Sequence, residues 1–132
     1  MRLNAPRAAD YGRGKLCNRR VLAHADGDPT REHLWVAHVD SESRCIHISR
    51  HPGDESCAEF PLRQIIADAA LHGSSGIVLA HNHPSGDARP SPSDLRATKR
   101  LALAAEAMDV ALLDHLIFGA RDCSSLRQLG YL

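Results

Sequence analysis

The sequence lacks the features that mark several large classes of protein. Among its 132 residues no apolar stretch approaches the roughly 18 residues of a membrane-spanning helix, and its first residues hold no apolar segment of a secretory signal. Its four cysteines form no Cys-x-x-Cys pair, and none lies in a setting that marks a nucleophile. We therefore expect a cytoplasmic protein without membrane contacts. Its free thiols would be Cys17, Cys45, Cys57 and Cys123.

Aromatic residues are also scarce, at 4% of the chain, although 43% of the residues are hydrophobic. The core must therefore rest on leucine, isoleucine, valine and alanine, with Trp35, Phe60 and Phe118 as large side chains. A chain of 132 residues suffices for one such core and not for two. We predict a single globular domain.

The chain has no net charge, with 16 basic and 16 acidic residues, but the charge is unevenly distributed. Residues 1–24 carry six Arg or Lys against Asp10 alone, so their net charge of +5 leaves −5 for residues 25–132. This argues against a broad nucleic-acid-binding face on the domain itself. We interpret residues 1–30 as a basic, partly ordered arm and residues 31–132 as the domain, with nucleic-acid binding through the arm as the alternative.

Hydrophobic periodicity and turn residues predict an α/β domain. Strands are expected near residues 33–40, 44–49 and 56–60, from 76 to the histidines that follow, and over 110–119. Helices are expected over 61–72 and 92–108, the second with Leu95, Leu101, Ala102, Ala105 and Met108 facing inward. Residues 122–132 should form a strand and a short turn at the edge of the sheet.

The segment from Gly76 to Ala80 is a short apolar run typical of a strand that is buried on both faces. His81 and His83 follow it directly. Because alternate residues of an extended chain point to the same side, both imidazoles can face one metal ion while Asn82 faces away. The pattern predicts two nitrogen ligands from one strand end.

A third ligand candidate lies beyond a loop rich in proline and glycine. Ser91 is a suitable N-cap, Pro92 suits the first helical position, and Asp94 then falls in the first helical turn. Ser91-x-x-Asp94 also resembles a capping box, which would form without any metal. Three protein ligands with one open position are typical of a catalytic zinc site, so the combination predicts hydrolysis by metal-activated water.

The combined motif, His-x-His-Pro followed after six residues by Ser-x-x-Asp, resembles the JAMM (MPN+) metalloprotease signature. Residues 77–87 and 113–119 further resemble the core of its RadC branch, and the similarity extends from about Arg31 to Leu132. The resemblance implies a JAB/MPN-like, cytidine-deaminase-like fold of α/β (α+β mixed) class, in which helices flank a mixed β-sheet. It also implies a zinc metallopeptidase or isopeptidase whose substrate is a peptide-linked or isopeptide-linked protein.

The resemblance also implies residue roles. The zinc ligands would be His81, His83 and Asp94, Ser91 would steady the oxyanion or the attacking water, and Glu32 at the opening strand would be the general base. Glu59 is the rival for the base. His115 is interpreted as a core or second-shell histidine, and Asp87 as a turn residue.

The chain departs from the RadC pattern in two places. Residues 49–61 lack the usual Gly-Thr-containing strand, so a substrate groove at that edge is in doubt. About thirty residues precede Arg31, too few for the helix-hairpin-helix region of longer RadC proteins, so a standalone catalytic module is expected. Two alternatives stay open: a DNA-repair-associated accessory protein that binds nucleic acid, and a metal-stabilised interaction module without turnover. The oligomeric state is not indicated.

Overall fold

A computed structural model describes residues 31–52 and 60–132 of the chain. Its elements, numbered in chain order, are strands β1 (His33–Val39) and β2 (Cys45–Pro52), helix α1 (Leu62–His72), strand β3 (Gly76–Asn82), helix α2 (Pro92–Glu106), and strands β4 (Ala111–Phe118) and β5 (Cys123–Ser125). None of these helices is long and apolar enough to cross a membrane. The predicted third strand near 56–60 lies outside the described residues except for Phe60, which is not in a strand.

The five strands form one mixed sheet in the order β2-β1-β3-β4-β5. Strand β1 pairs antiparallel with both β2 and β3, β3 pairs parallel with β4, and β4 pairs antiparallel with the short edge strand β5. The parallel pair is joined by α2, since parallel neighbours need a long crossover connection. The predicted α/β domain with a mixed sheet is therefore confirmed.

Both helices pack on the same face of the sheet. Ile65 and Ala69 of α1 and Leu101 and Ala105 of α2 are fully or almost fully buried there. They pack with alternate residues of the central strands, namely Leu34, Val36, Ile77, Leu79 and Leu112. The opposite face carries a second cluster that includes Trp35, Ala37, Val78, Ala80 and Leu116. All of β3 is buried, as its unbroken apolar run predicts.

The inward face of α2 is a continuous stripe formed by Asp94, Thr98, Leu101 and Ala105, which recur every three or four residues. The prediction that Met108 faces inward is wrong: this side chain is 37% exposed. The helix ends at Glu106, two residues earlier than predicted, and the next three residues form a turn. Asp94 and Thr98 are the polar residues of this stripe. They lie in the N-terminal part of α2 and are buried in the domain, where Asp94 lies beside His81 of β3.

Candidate metal centre

The end of β3 brings two imidazole rings together beneath the start of α2. His81 lies in the strand and is almost fully buried, whereas His83 follows the strand and is partly buried. Their Nε2 atoms lie 2.9 Å apart. The alternation of side chains along an extended chain thus places both rings on the helix-covered side, as the sequence predicts.

The loop after His83 is held by backbone contacts with the end of β4. The amide of His83 donates to the carbonyl of Phe118 over 2.9 Å, and the amide of Ala120 donates to the carbonyl of Gly86 over 2.9 Å. The Nδ1 atom of His83 lies 2.7 Å from the carbonyl oxygen of Asp87. A carbonyl can only accept, so His83 carries a proton on Nδ1 and turns Nε2 toward the centre.

Asp94 acts as a helix cap and also faces both histidines. One carboxylate oxygen, Oδ2, accepts from the amide of Ser91 over 2.8 Å and lies 3.1 Å from Nε2 of His83. The other, Oδ1, lies 3.4 Å from Nε2 of His81. Burial alone would raise the pKa of Asp94, but the hydrogen bond and charge of His81 and the amide of Ser91 hold this pKa well below its ordinary value. Asp94 is therefore an ionised carboxylate aimed at the imidazole pair.

Ser91 is the N-cap of α2, as predicted. Its hydroxyl oxygen accepts from the amide of Asp94 over 3.1 Å, which completes a capping box, and it lies 3.3 Å from the hydroxyl of Ser93. These bonds explain its position without any reaction. The oxyanion role of Ser91 stays a prediction.

Glu32 stands immediately before β1, and its Oε1 lies 3.7 Å from Nε2 of His81. The side-chain amide of Asn82 forms hydrogen bonds with the backbone of the residues on either side of Glu32. Its Oδ1 accepts from the amide of His33 over 2.8 Å, and its Nδ2 donates to the carbonyl of Arg31 over 2.8 Å. Regular pairing of β1 with β3 ends at Leu34 opposite His81. Asn82 therefore extends the contact to the residues on either side of Glu32, a role that the sequence pattern did not indicate.

The other glutamates do not compete with Glu32 in the described part of the chain. Glu42 lies in the turn between β1 and β2 and pairs with Arg44 over 3.3 Å, and Glu106 lies at the far end of α2. The rival Glu59 lies outside the described residues, as does the arm 1–30, so both predictions stay untested.

His115 of β4 contacts the ring nitrogen of His81 that faces away from the other candidate ligands. It is fully buried, and its Nε2 lies 2.6 Å from Nδ1 of His81. Burial first, and then the charge of His81, lower the pKa of His115 well below its ordinary value. Thr98 of α2 lies behind it in turn, with its hydroxyl 2.7 Å from Nδ1 of His115. Helical periodicity places Thr98 on the inward face of α2, yet nothing local in the sequence shows that it meets a histidine of another strand.

The donor set fits a divalent metal ion. One ligand atom from each of Glu32, His81, His83 and Asp94 lies within 4.8 Å of all the others. Within residues 31–52 and 60–132 no other group of three or more such side chains converges in this way. Imidazole nitrogens combined with carboxylate oxygens are the ligands of hydrolytic zinc sites and of related first-row metals. The structure thus contains a group that could bind a metal ion.

Comparison with known proteins agrees with this geometry. A family model described as "RadC-like JAB domain" matches residues 13–131. The chain belongs to the RadC-like JAB domain family. The match begins ahead of Arg31, within the segment predicted as the arm, and it includes all the residues of the metal centre.

The relatives of this RadC-like JAB domain carry names that specify no activity. A UPF0758 protein of Pelodictyon phaeoclathratiforme is 37% identical over 106 residues, which cover 80% of this chain and 48% of the relative. A UPF0758 protein of Chloroflexus aggregans is 34% identical over 110 residues, which cover 83% of this chain and 46% of the relative. The chain thus spans about half the length of these curated relatives.

Proposed function

We propose that this RadC-like JAB domain is a zinc-dependent hydrolase that cleaves a peptide or isopeptide bond of a protein substrate. The observation that carries the proposal is the convergence of two imidazoles and two carboxylates at one sheet end. Three of these side chains are at most 16% exposed, whereas the side chain of Glu32 is 43% exposed. This asymmetry suits three ligands and one residue that meets water and substrate.

The side chains of the site divide into holding and proton-transferring groups. His81, His83 and Asp94 would hold zinc through Nε2, Nε2 and a carboxylate oxygen. Bound zinc supplies a Lewis acid that lowers the pKa of a coordinated water toward neutrality and polarises a carbonyl group.

Glu32 and Ser91 act on the reactants. Glu32 would accept the proton of the attacking water and return it to the leaving amine, because its exposed carboxylate lies next to the ligands. Ser91 would turn its hydroxyl proton from the hydroxyl of Ser93, 3.3 Å away, to the developing oxyanion, while its oxygen accepts from the amide of Asp94.

The test is a metal-dependent cleavage screen on a peptide and isopeptide library with matched variants. Glu32→Gln preserves shape and removes the carboxylate, so it should retain zinc and lose about 10²–10⁴-fold or more in rate, the usual contribution of general-base catalysis. Asp94→Asn should lose metal and activity together, because it weakens a ligand. Glu42→Gln is the control, since Glu42 is an exposed turn residue that contacts Arg44.

Two results would contradict parts of the proposal. If Glu32→Gln were fully active, the base would lie elsewhere, and Glu59→Gln would then be tested as the rival. If the wild-type domain bound zinc and cleaved no member of the library, the centre would act as a metal-stabilised interaction module. Zinc content and turnover are therefore measured on the same samples.

The charge of the first residues favours a second candidate function. Six basic residues against one acidic residue in 1–24 could bind nucleic acid and support a DNA-repair-associated accessory role. In that case DNA binding should weaken steeply as salt rises, and replacement of the six by glutamine should abolish it. Binding that survives the replacement would place the nucleic-acid site elsewhere.

A further inference from the structure

A buried chain of hydrogen bonds connects α2 to the metal centre through β4. The hydroxyl of Thr98 donates to the carbonyl of Asp94 over 2.6 Å and lies 2.7 Å from Nδ1 of His115. Nε2 of His115 lies 2.6 Å from Nδ1 of His81. Thr98, His115 and His81 are each at most 2% exposed. Water therefore cannot replace any partner in the chain.

The first link of this chain fixes the direction of the others. A threonine hydroxyl has one proton, and the carbonyl of Asp94 can only accept, so the proton of Thr98 is committed to Asp94. Toward His115 the hydroxyl oxygen must then accept. His115 consequently carries its proton on Nδ1.

The same reasoning continues to the metal ligand. A buried, neutral His115 with its proton on Nδ1 has a lone pair on Nε2, which accepts from Nδ1–H of His81. His81 then has its Nε2 lone pair free for a metal ion, at the point where Asp94 and His83 converge. We infer that Thr98, acting through His115, is a positioning residue that selects the metal-binding tautomer of His81. This inference rests on the proposed metal centre.

Of the two ligand histidines, only His81 needs a more distant residue to set its tautomer. His83 faces the backbone carbonyl of Asp87, which can only accept, so its tautomer is set by its immediate neighbour. His81 faces another imidazole, which can donate or accept according to its own tautomer. In the part of the chain that the structure describes, the hydroxyl of Thr98 is the group that resolves this ambiguity. Without the hydroxyl, His115 would favour a proton on Nε2, donate to His81, and leave the proton of a neutral His81 on its ligating nitrogen.

The first test measures zinc affinity by competition with a chromophoric chelator. Thr98→Val keeps the shape and removes the hydroxyl, and we expect an affinity loss of about 10–100-fold, the usual effect of removing an outer-shell partner. Thr98→Ser restores the hydroxyl and should bind zinc like the wild type. Ser74→Ala is the matched control, because it removes a buried hydroxyl 2.8 Å from a different imidazole, that of His38, and should leave zinc affinity unchanged.

The second test reads the protons directly by NMR of nitrogen-15-labelled histidine in the wild-type domain. His115 should be protonated on Nδ1 and bare on Nε2, and Thr98→Val should reverse this pattern. The inference is overturned if wild-type His115 is protonated on Nε2, or if Thr98→Val binds zinc within about two-fold of the wild type. The NMR result requires no turnover and no bound metal, so it stands or fails separately from the hydrolase proposal.

Discussion

A buried histidine far from the metal centre should make a large contribution to the pH dependence of stability. His38 of β1 is fully buried, and its Nδ1 lies 2.8 Å from the hydroxyl of Ser74. Its Nε2 is also buried and has no hydrogen-bond partner among residues 31–52 and 60–132. The rings of His47 and His72 lie 5.5 Å and 6.1 Å from it, centroid to centroid. Burial, and then the nearby charge of His47, lower the pKa of His38 from 6.5 to about 4.

The sign and size of the effect follow from this shift. A histidine with a lowered pKa in the folded state is held neutral there, whereas the unfolded chain binds the proton near pH 6.5. The stabilising contribution is complete above that pH, declines as the pH falls, and is lost below about pH 4. A shift of about 2.5 pKa units at 1.36 kcal/mol per unit corresponds to about 3 kcal/mol. That is a large part of the 5–15 kcal/mol that stabilises an ordinary domain.

The assay is urea unfolding of the metal-free domain at pH 7 and at about pH 4, compared with His38→Gln. Glutamine can still bond to Ser74 but does not titrate, so the variant should lose about 3 kcal/mol less than the wild type between the two pH values. Use of metal-free protein removes the contribution of metal release. Equal losses in both proteins would refute the assignment of the acid sensitivity to His38.

Three further substitutions test the packing and support of the site. Leu101→Ala should lower the free energy of unfolding by about 2–5 kcal/mol, measured by urea unfolding, because it leaves a cavity under α2 at a fully buried position. Gly119→Ala should lower the free energy of unfolding by about 1–3 kcal/mol and weaken zinc binding, because the added Cβ would lie 2.5 Å from the carbonyl oxygen of Gly86 in the loop after His83. An unchanged free energy of unfolding and an unchanged zinc affinity would show that this loop shifts without cost. Asn82→Leu should retain zinc but lose cleavage as Glu32→Gln does, because the amide brackets Glu32; full activity would show that Glu32 needs no such support.

The sequence predicts the elements well where local chemistry determines them. The apolar run before His81 and the cap at Ser91 each mark a boundary. Gly73 follows α1 and adopts the left-handed conformation with φ of 63°, in which glycine commonly ends a helix. The error at Met108 has the same origin, because periodicity continues in the sequence after the backbone has left the helix. Local patterns do not show where packing ends.

The sequence predicts the ligand candidates but not their supporting contacts. His81, His83 and Asp94 lie within fourteen positions of one another, so strand alternation and a helix start suffice to bring them together. Asn82 reaches a segment 49 and 51 positions away, and His115 reaches His81 across 34 positions. Such contacts depend on the strand order β1-β3-β4, which no local pattern encodes.

The most direct test of the proposed metal centre is the zinc content of the purified domain and of a His81→Ala/His83→Ala variant, by elemental analysis. The wild-type domain should hold about one zinc per chain, the stoichiometry of a single site with three protein ligands. The double variant should hold almost none while keeping its fold, checked by circular dichroism. Unchanged zinc in a folded double variant would contradict the assignment of the metal to the end of β3.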